Sequence, residues 1–237
     1  LRWGPPPVDA KARPRSAQPR PRRITAPEIR ARKGGEPLVC LTAYDATMAR
    51  ILDPHCDLLL VGDSVGMVVH GLDSTIGVTL DMMILHGQAV MRGAKTALVA
   101  VDMPFGSYEQ SPEQAFANAA RVMAETGCQA IKIESGTYAA DTIRFMAARS
   151  IPVIGHIGLR PQAALADGGF KAKGRTEAER QRVIDEAVAT AAAGAFAIVI
   201  EGVAEDLARE TTEAVAVPTI AIGASHACGG LNRAPQY

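Results

Sequence analysis

Six apolar runs in this chain end at, or one residue short of, an ionisable side chain, and helical patterns separate most of them. Residues 39–44 run into Asp45, 58–62 stop at Asp63, 97–101 at Asp102, 130–133 at Glu134, 152–155 at His156 and 195–200 at Glu201. Parallel strands of one sheet have their C-terminal ends on the same side. If these runs are such strands, their ionisable residues gather on one rim, where open and closed α/β folds place their chemistry.

The segments between the runs carry helix start and stop signals. Thr25 and Glu28 form a capping box, with Ile24 and Ile29 spaced for a hydrophobic staple, and Gly34-Gly35 ends that short helix. Thr79 caps a helix over 80–92 that Gly93 closes. Ser111 is an N-cap with Pro112 at the first helical position and Gln114 completing the box, and Gly127 stops that helix. Further helices are expected over 138–149, from a Thr176/Glu179 cap to Gly194, and over 204–215, with a seventh strand at 218–222. Regular β-α alternation implies a parallel sheet. Right-handed crossovers repeated this often favour a closed barrel. A doubly wound sheet, the alternative, would collect the acids at one switch point, whereas here they spread over successive strands.

A length of 237 residues suits one α/β barrel or two smaller domains, and 48% hydrophobic with only 4% aromatic residues implies an aliphatic core. The zero net charge is uneven. Residues 1–23 hold seven basic residues and one acid, leaving 18 basic and 24 acidic residues in the body. That balance excludes a nucleic-acid-binding body, and no apolar stretch approaches the roughly 20 residues of a membrane span. The Pro-rich basic segment 1–23 is expected to be disordered, and the N-terminus lacks the apolar core of a secretory signal. Cys40, Cys56, Cys128 and Cys228 lack CxxC spacing and read as reduced thiols of a cytoplasmic protein.

One acid at a strand end can cap the next turn as readily as act in chemistry, and of the six groups Asp45 is the least assigned. Asp63, Asp102, Glu134 and Glu201 on one rim would repel one another unless a cation neutralises them. Lys132 shares a strand face with Glu134, two residues on. Carboxylates without a Cys/His cluster suit a hard cation such as magnesium better than zinc. His156 shares the rim and is a candidate substrate contact, while Lys171 and Lys173 in the loop that follows read as solvated.

Several runs taken together resemble the ketopantoate hydroxymethyltransferase family. They are 42–45 (Thr-Ala-Tyr-Asp), 61–67 (Val-Gly-Asp-Ser-Val-Gly-Met), 70–75 (His-Gly-Leu-Asp-Ser-Thr) and 102–105 (Asp-Met-Pro-Phe), then 112–116 (Pro-Glu-Gln-Ala-Phe), 131–134 (Ile-Lys-Ile-Glu), 155–159 (Gly-His-Ile-Gly-Leu) and 168–171 (Gly-Gly-Phe-Lys). The resemblance covers residues 24–225 and implies a (β/α)8 TIM barrel of the phosphoenolpyruvate mutase and isocitrate lyase type. It also implies transfer of a hydroxymethyl group from 5,10-methylenetetrahydrofolate to 3-methyl-2-oxobutanoate, giving 2-dehydropantoate on the route to pantothenate and coenzyme A. Carried over motif by motif, Asp63 and Asp102 would bind Mg2+ and touch the oxo acid, and Glu134 would support the metal. Ser64, Lys132 and His156 would hold the oxo acid. Glu201, desolvated at its strand end, would be the base. The partners implied are the oxo acid, the folate and further copies of the chain in a homo-oligomer such as a decamer. Other readings are a carbon–carbon lyase or phosphonate mutase of the same superfamily, against which the runs 155–159 and 168–171 argue, and an inactive truncated family member.

The chain departs from the pattern at both ends. Residues 226–237 show no strand pattern where the family continues, so they read as a non-family tail and the eighth barrel unit as missing. The expectation is a barrel with two unpaired strand edges, unstable or dependent on a partner subunit.

Overall fold

A computed structural model describes residues 22–136, 138–223 and 228–233. Eight parallel strands close a barrel in sequence order: β1 (Leu38–Thr42), β2 (Leu58–Val61), β3 (Leu98–Asp102), β4 (Ala130–Glu134), β5 (Val153–Gly158), β6 (Ala197–Glu201), β7 (Thr219–Ile222) and β8 (Gly230–Arg233). The helices are α1 (Ala26–Arg30), α2 (Ala46–Leu52), α3 (Val65–Val68), α4 (Leu80–Gly93), α5 (Pro112–Thr126), α6 (Ala139–Ala147), α7 (Ala164–Asp167), α8 (Glu177–Ala192) and α9 (Glu205–Ala214).

The start and stop signals act as expected at all but one of these ends. The box of Thr25 and Glu28 opens α1. Thr79 accepts from Met82 N at the start of α4, and Thr176 accepts from Glu179 N at the start of α8. Ser111 Oγ accepts from Gln114 N at 3.1 Å, but the Gln114 side chain accepts from Gln110 N instead of closing the box on Ser111. Gly127, at φ 76°, takes the left-handed conformation that ends α5.

Alternation along each strand divides the core. Leu38, Cys40, Leu58, Leu60, Leu98, Ala100, Ala130, Ile154, Val199 and Ile220 fill the barrel, and Ala26 and Ile29 of α1 close its N-terminal end. Leu59, Val61, Val99, Val101, Ile131, Ile133 and Val153 face outward into the helices. The aliphatic filling stops at the C-terminal ends, where Asp102, Lys132, Glu134 and His156 continue the inward positions.

The barrel is closed, which overturns the expectation of a missing eighth strand and of two unpaired edges. Gly230 and Leu231 pair with Ile220 and Ala221 of β7, and residues 230–233 pair with Leu38–Leu41 of β1. Closure is set by the open backbone groups of β1 and β7, and a short segment of weak strand propensity satisfies them. Gly230 suits this seam, since a Cβ there would lie 2.8 Å from both Leu38 O and Leu38 Cβ. The proposed tail 226–237 therefore contains a barrel strand, while 224–227 and 234–237 lie outside the described residues.

The N-terminal boundary also shifts. Most of the segment expected to be disordered lies outside the described residues, but Arg23 belongs to the ordered body. Its guanidinium donates to Ala94 O and Ala97 O, both at 2.8 Å. The four cysteines are free thiols. Among the described residues no helix is long and apolar enough to cross a membrane.

Candidate active site

The C-terminal ends of the strands surround a cavity of about 660 Å³. Asp63, Ser64, Asp102, Lys132, Glu134, His156 and Glu201 all line it, so every site residue expected from the sequence converges here. Asp45 is the exception among the strand-end groups. It is exposed, and its Oδ1 accepts from Thr47 N at 2.7 Å and Met48 N at 2.8 Å, so it caps α2.

Strand register builds the charged centre. Asp102 of β3 sits beside Lys132 of β4, and Glu134 of β4 beside His156 of β5. Lys132 Nζ lies 2.7 Å from Asp102 Oδ1, with the two side chains 6% and 4% exposed. Asp102 Oδ2 accepts from Asp63 N at 3.1 Å. The turn that brings Asp63 over Asp102 needs glycine before it, because a Cβ on Gly62 would meet Ser64 Oγ at 2.8 Å. Ser64 Oγ is held by the buried Tyr44 hydroxyl at 2.8 Å.

Three buried carboxylates face one buried ammonium. Burial, and then the Asp102 charge, pushes Asp63 up to about 7. Burial pushes Glu134 up to about 8 against the pull of Lys132, and the Asp63 charge adds to the rise. Burial works to lower Lys132, but Asp102, Asp63 and Glu134 outweigh it and raise its pKa above the usual lysine value. The centre has an excess of negative charge when its acids are ionised, which a bound cation would offset.

His156 is 2% exposed, and neither ring nitrogen has a hydrogen-bond partner among the described residues. Its Nε2 lies 3.3 Å from Glu201 Oε2 and its Nδ1 3.9 Å from Glu134 Oε1. Glu201 is the most open acid of the group, its side chain 23% exposed, which corrects the expectation that it is desolvated. Lys173 is likewise not simply solvated, since its Nζ lies 2.8 Å from Asp167 Oδ2.

Three contributors escaped the sequence reading. Gln162 and Tyr108 come from rim loops and form hydrogen bonds around Asp63 and Glu134. Asn232 reaches the cavity from β8. Their signals are weak: polar residues in rim loops, and a short segment without alternation.

Residues 23–232 match a family model described as ketopantoate hydroxymethyltransferase. The 3-methyl-2-oxobutanoate hydroxymethyltransferase of Maricaulis maris is 93% identical over 209 residues, covering 88% of this chain and 75% of that one. The protein of that name from Phenylobacterium zucineum is 70% identical, covering 88% and 76%. Among solved structures, a 2,3-dimethylmalate lyase of the PEP mutase/isocitrate lyase superfamily superposes with TM-score 0.60 at 19% identity, covering 82% and 70%. A phosphonopyruvate hydrolase in complex with oxalate and Mg++ superposes with TM-score 0.65 at 14% identity, covering 90% and 81%. At these identities the two structures speak for the fold.

Proposed function

The chain belongs to the ketopantoate hydroxymethyltransferase family, and on that premise we propose that it transfers a hydroxymethyl group from 5,10-methylenetetrahydrofolate to 3-methyl-2-oxobutanoate, giving 2-dehydropantoate. The observation that carries the reading is the convergence of Asp63, Ser64, Asp102, Lys132, Glu134, His156 and Glu201 in one cavity. The cavity volume falls in the range of small-molecule sites and exceeds what the small oxo acid alone would fill, leaving room for part of a larger donor.

Magnesium fits the donors present. Asp63 and Asp102 are adjacent buried carboxylates, and their repulsion is what a cation relieves. Among the described residues no group of three or more His, Cys, Asp or Glu forms a metal cage. Two carboxylates completed by water and substrate oxygens are the usual environment of magnesium. Bound there, it supplies Lewis-acid polarisation of the ketone. Glu134 supports the pair from the next strand.

The protein's own residues then divide the work. Ser64 and His156 hold the oxo acid, His156 with ring nitrogens that make no hydrogen bond among the described residues. Glu201 takes the proton from the carbon beside the ketone, the C–H bond leaving its electron pair as an enolate. The Lys132 ammonium places positive charge beside the oxygen on which negative charge develops. Water adds to the methylene carbon of the donor and its two C–N bonds break, releasing tetrahydrofolate and leaving the one-carbon unit as formaldehyde. The enolate carbon bonds to that carbon, and its oxygen, which came from water, takes up the proton held by Glu201 as the product hydroxyl.

Proton NMR in D2O tests the first half without the donor. With Mg2+ and the oxo acid, the C3 proton signal should fade as deuterium replaces it, and Glu201→Gln should abolish the exchange. Turnover with methylenetetrahydrofolate tests the second half. Absence of both from the folded protein would sink the proposal.

A further inference from the structure

Gln162 is a buried amide wedged between two acids. It lies in the 3-10 turn Pro161–Ala163 that follows β5 and is 6% exposed. Its Nε2 donates to Asp63 Oδ2 at 2.8 Å and to Met103 O at 3.0 Å. Its Oε1 accepts from the Tyr108 hydroxyl at 2.6 Å. Its backbone N–H points at both Glu134 carboxylate oxygens, at 3.3 and 3.2 Å.

These partners fix which way the amide faces. Met103 O can only accept, so it must meet the NH2 end. Tyr108 O accepts from Glu134 N at 3.3 Å, so its single proton is directed to Gln162 Oε1. Burial pushes the Tyr108 phenol above its ordinary pKa and keeps that proton in place. A flipped amide would set its oxygen against both Met103 O and the Asp63 carboxylate, two unfavourable lone-pair encounters in a buried site.

The two candidate metal-binding carboxylates are thus held by different means. Asp102 is paired with the Lys132 ammonium. Asp63 is held by a neutral donor, which orients one oxygen without cancelling the charge a cation needs.

We propose that Gln162, locked by Tyr108 and Met103 O, is a positioning residue that turns the second oxygen of Asp63 toward the cavity and so presets the cation-binding geometry. Its backbone contact with Glu134 ties the loop after β5 to the same centre. The role rests on the metal-site reading above. Partners that orient ligands in this way typically contribute about 10- to 100-fold to metal affinity or activity.

The test uses the full chain with Gln162→Met, which keeps the volume and the backbone N–H but removes the amide, and with Tyr108→Phe, which removes only the lock. Mn2+ binding is read from the EPR signal of the free ion, and kcat and KM for the oxo acid are measured at saturating Mg2+. Gln162→Met should weaken Mn2+ binding roughly tenfold or more and lower kcat, with the folding transition retained. Tyr108→Phe should show the same pattern more weakly. Wild-type Mn2+ affinity and kcat in Gln162→Met would overturn the positioning role, whether or not the melting temperature falls. Wild-type protein that binds no Mn2+ would overturn the metal-site reading and this role with it.

Discussion

Lys132 Nζ and Asp102 Oδ1 lie 2.7 Å apart inside the barrel, both side chains nearly inaccessible. This ammonium faces a centre that also holds Asp63 and Glu134, both pushed up by burial. Breaking a buried pair by deleting one partner leaves an uncompensated charge, at a cost of about 3–5 kcal/mol. Lys132→Met keeps most of the volume, so the loss should appear as charge. Denaturant melts at pH 8 should show destabilisation of that order, shrinking at pH 6 as the acids take up protons. Turnover should fall by at least about a hundredfold. Full stability at both pH values would mean that Asp102 finds another partner.

The raised acids set the direction of the pH dependence. Asp63 and Glu134 have folded values of about 7 and about 8, against roughly 4 in an unfolded chain. The folded protein therefore holds more protons than the unfolded one between those limits. Their stabilising contribution is complete below the unfolded values and is lost as pH rises through 7 and 8. Asp53 works in the opposite sense. Against burial, hydrogen bonds from Ala97 and Thr96 hold it below its ordinary value, so its contribution fades only in acid. Without metal, the melting temperature should fall between pH 6 and 9, and Mg2+ should flatten the curve. A melting temperature rising over that span would contradict the assignment.

Asp45 and Glu201 both follow apolar runs, yet they sit in different surroundings. Asp45 satisfies the first amides of α2. Asp45→Ala should therefore lower stability by about 1 kcal/mol and leave kcat and KM alone. Among the described residues, Glu201, partly open to the cavity, has no comparable side-chain partner beyond the His156 contact. Glu201→Gln should leave the melting temperature unchanged and lower kcat by about a hundred- to ten-thousandfold. Exchanged outcomes would reverse the two assignments.

What could be read from the sequence followed from short-range periodicity. Lys132 and Glu134 are two residues apart on a strand, so their shared inward face was legible, as was the gathering of strand-end acids on one rim. Their unequal environments were not. Glu201 is more open than Glu134 because of what packs beside it, which alternation does not encode. Gln162 and Tyr108 meet across 54 positions only once the rim loops are folded. Residues 230–233 carry no strand pattern, and β8 forms because β1 and β7 present open hydrogen-bonding edges to it.

The β1–β8 seam yields the last prediction. Leu38 N donates to Gly229 O at 2.8 Å, and Gly230 lies against Leu38 with no room for a Cβ. Gly230→Val adds β-branched bulk where backbone atoms already touch, so β8 must move away from β1. Overpacking of this kind costs about 1–3 kcal/mol. The loss should be local first, because separating the seam exposes the amide of Leu38 while β3 to β6 keep their neighbours. Hydrogen exchange should accelerate at Leu38 and in β8 more than at Ile131 or Val199. Gly35→Ala serves as the control, since a Cβ there meets nothing nearer than Arg32 O at 3.5 Å and the melting temperature should hold. Equal protection at Leu38 in Gly230→Val and wild type would show that β8 does not carry the closure of the barrel.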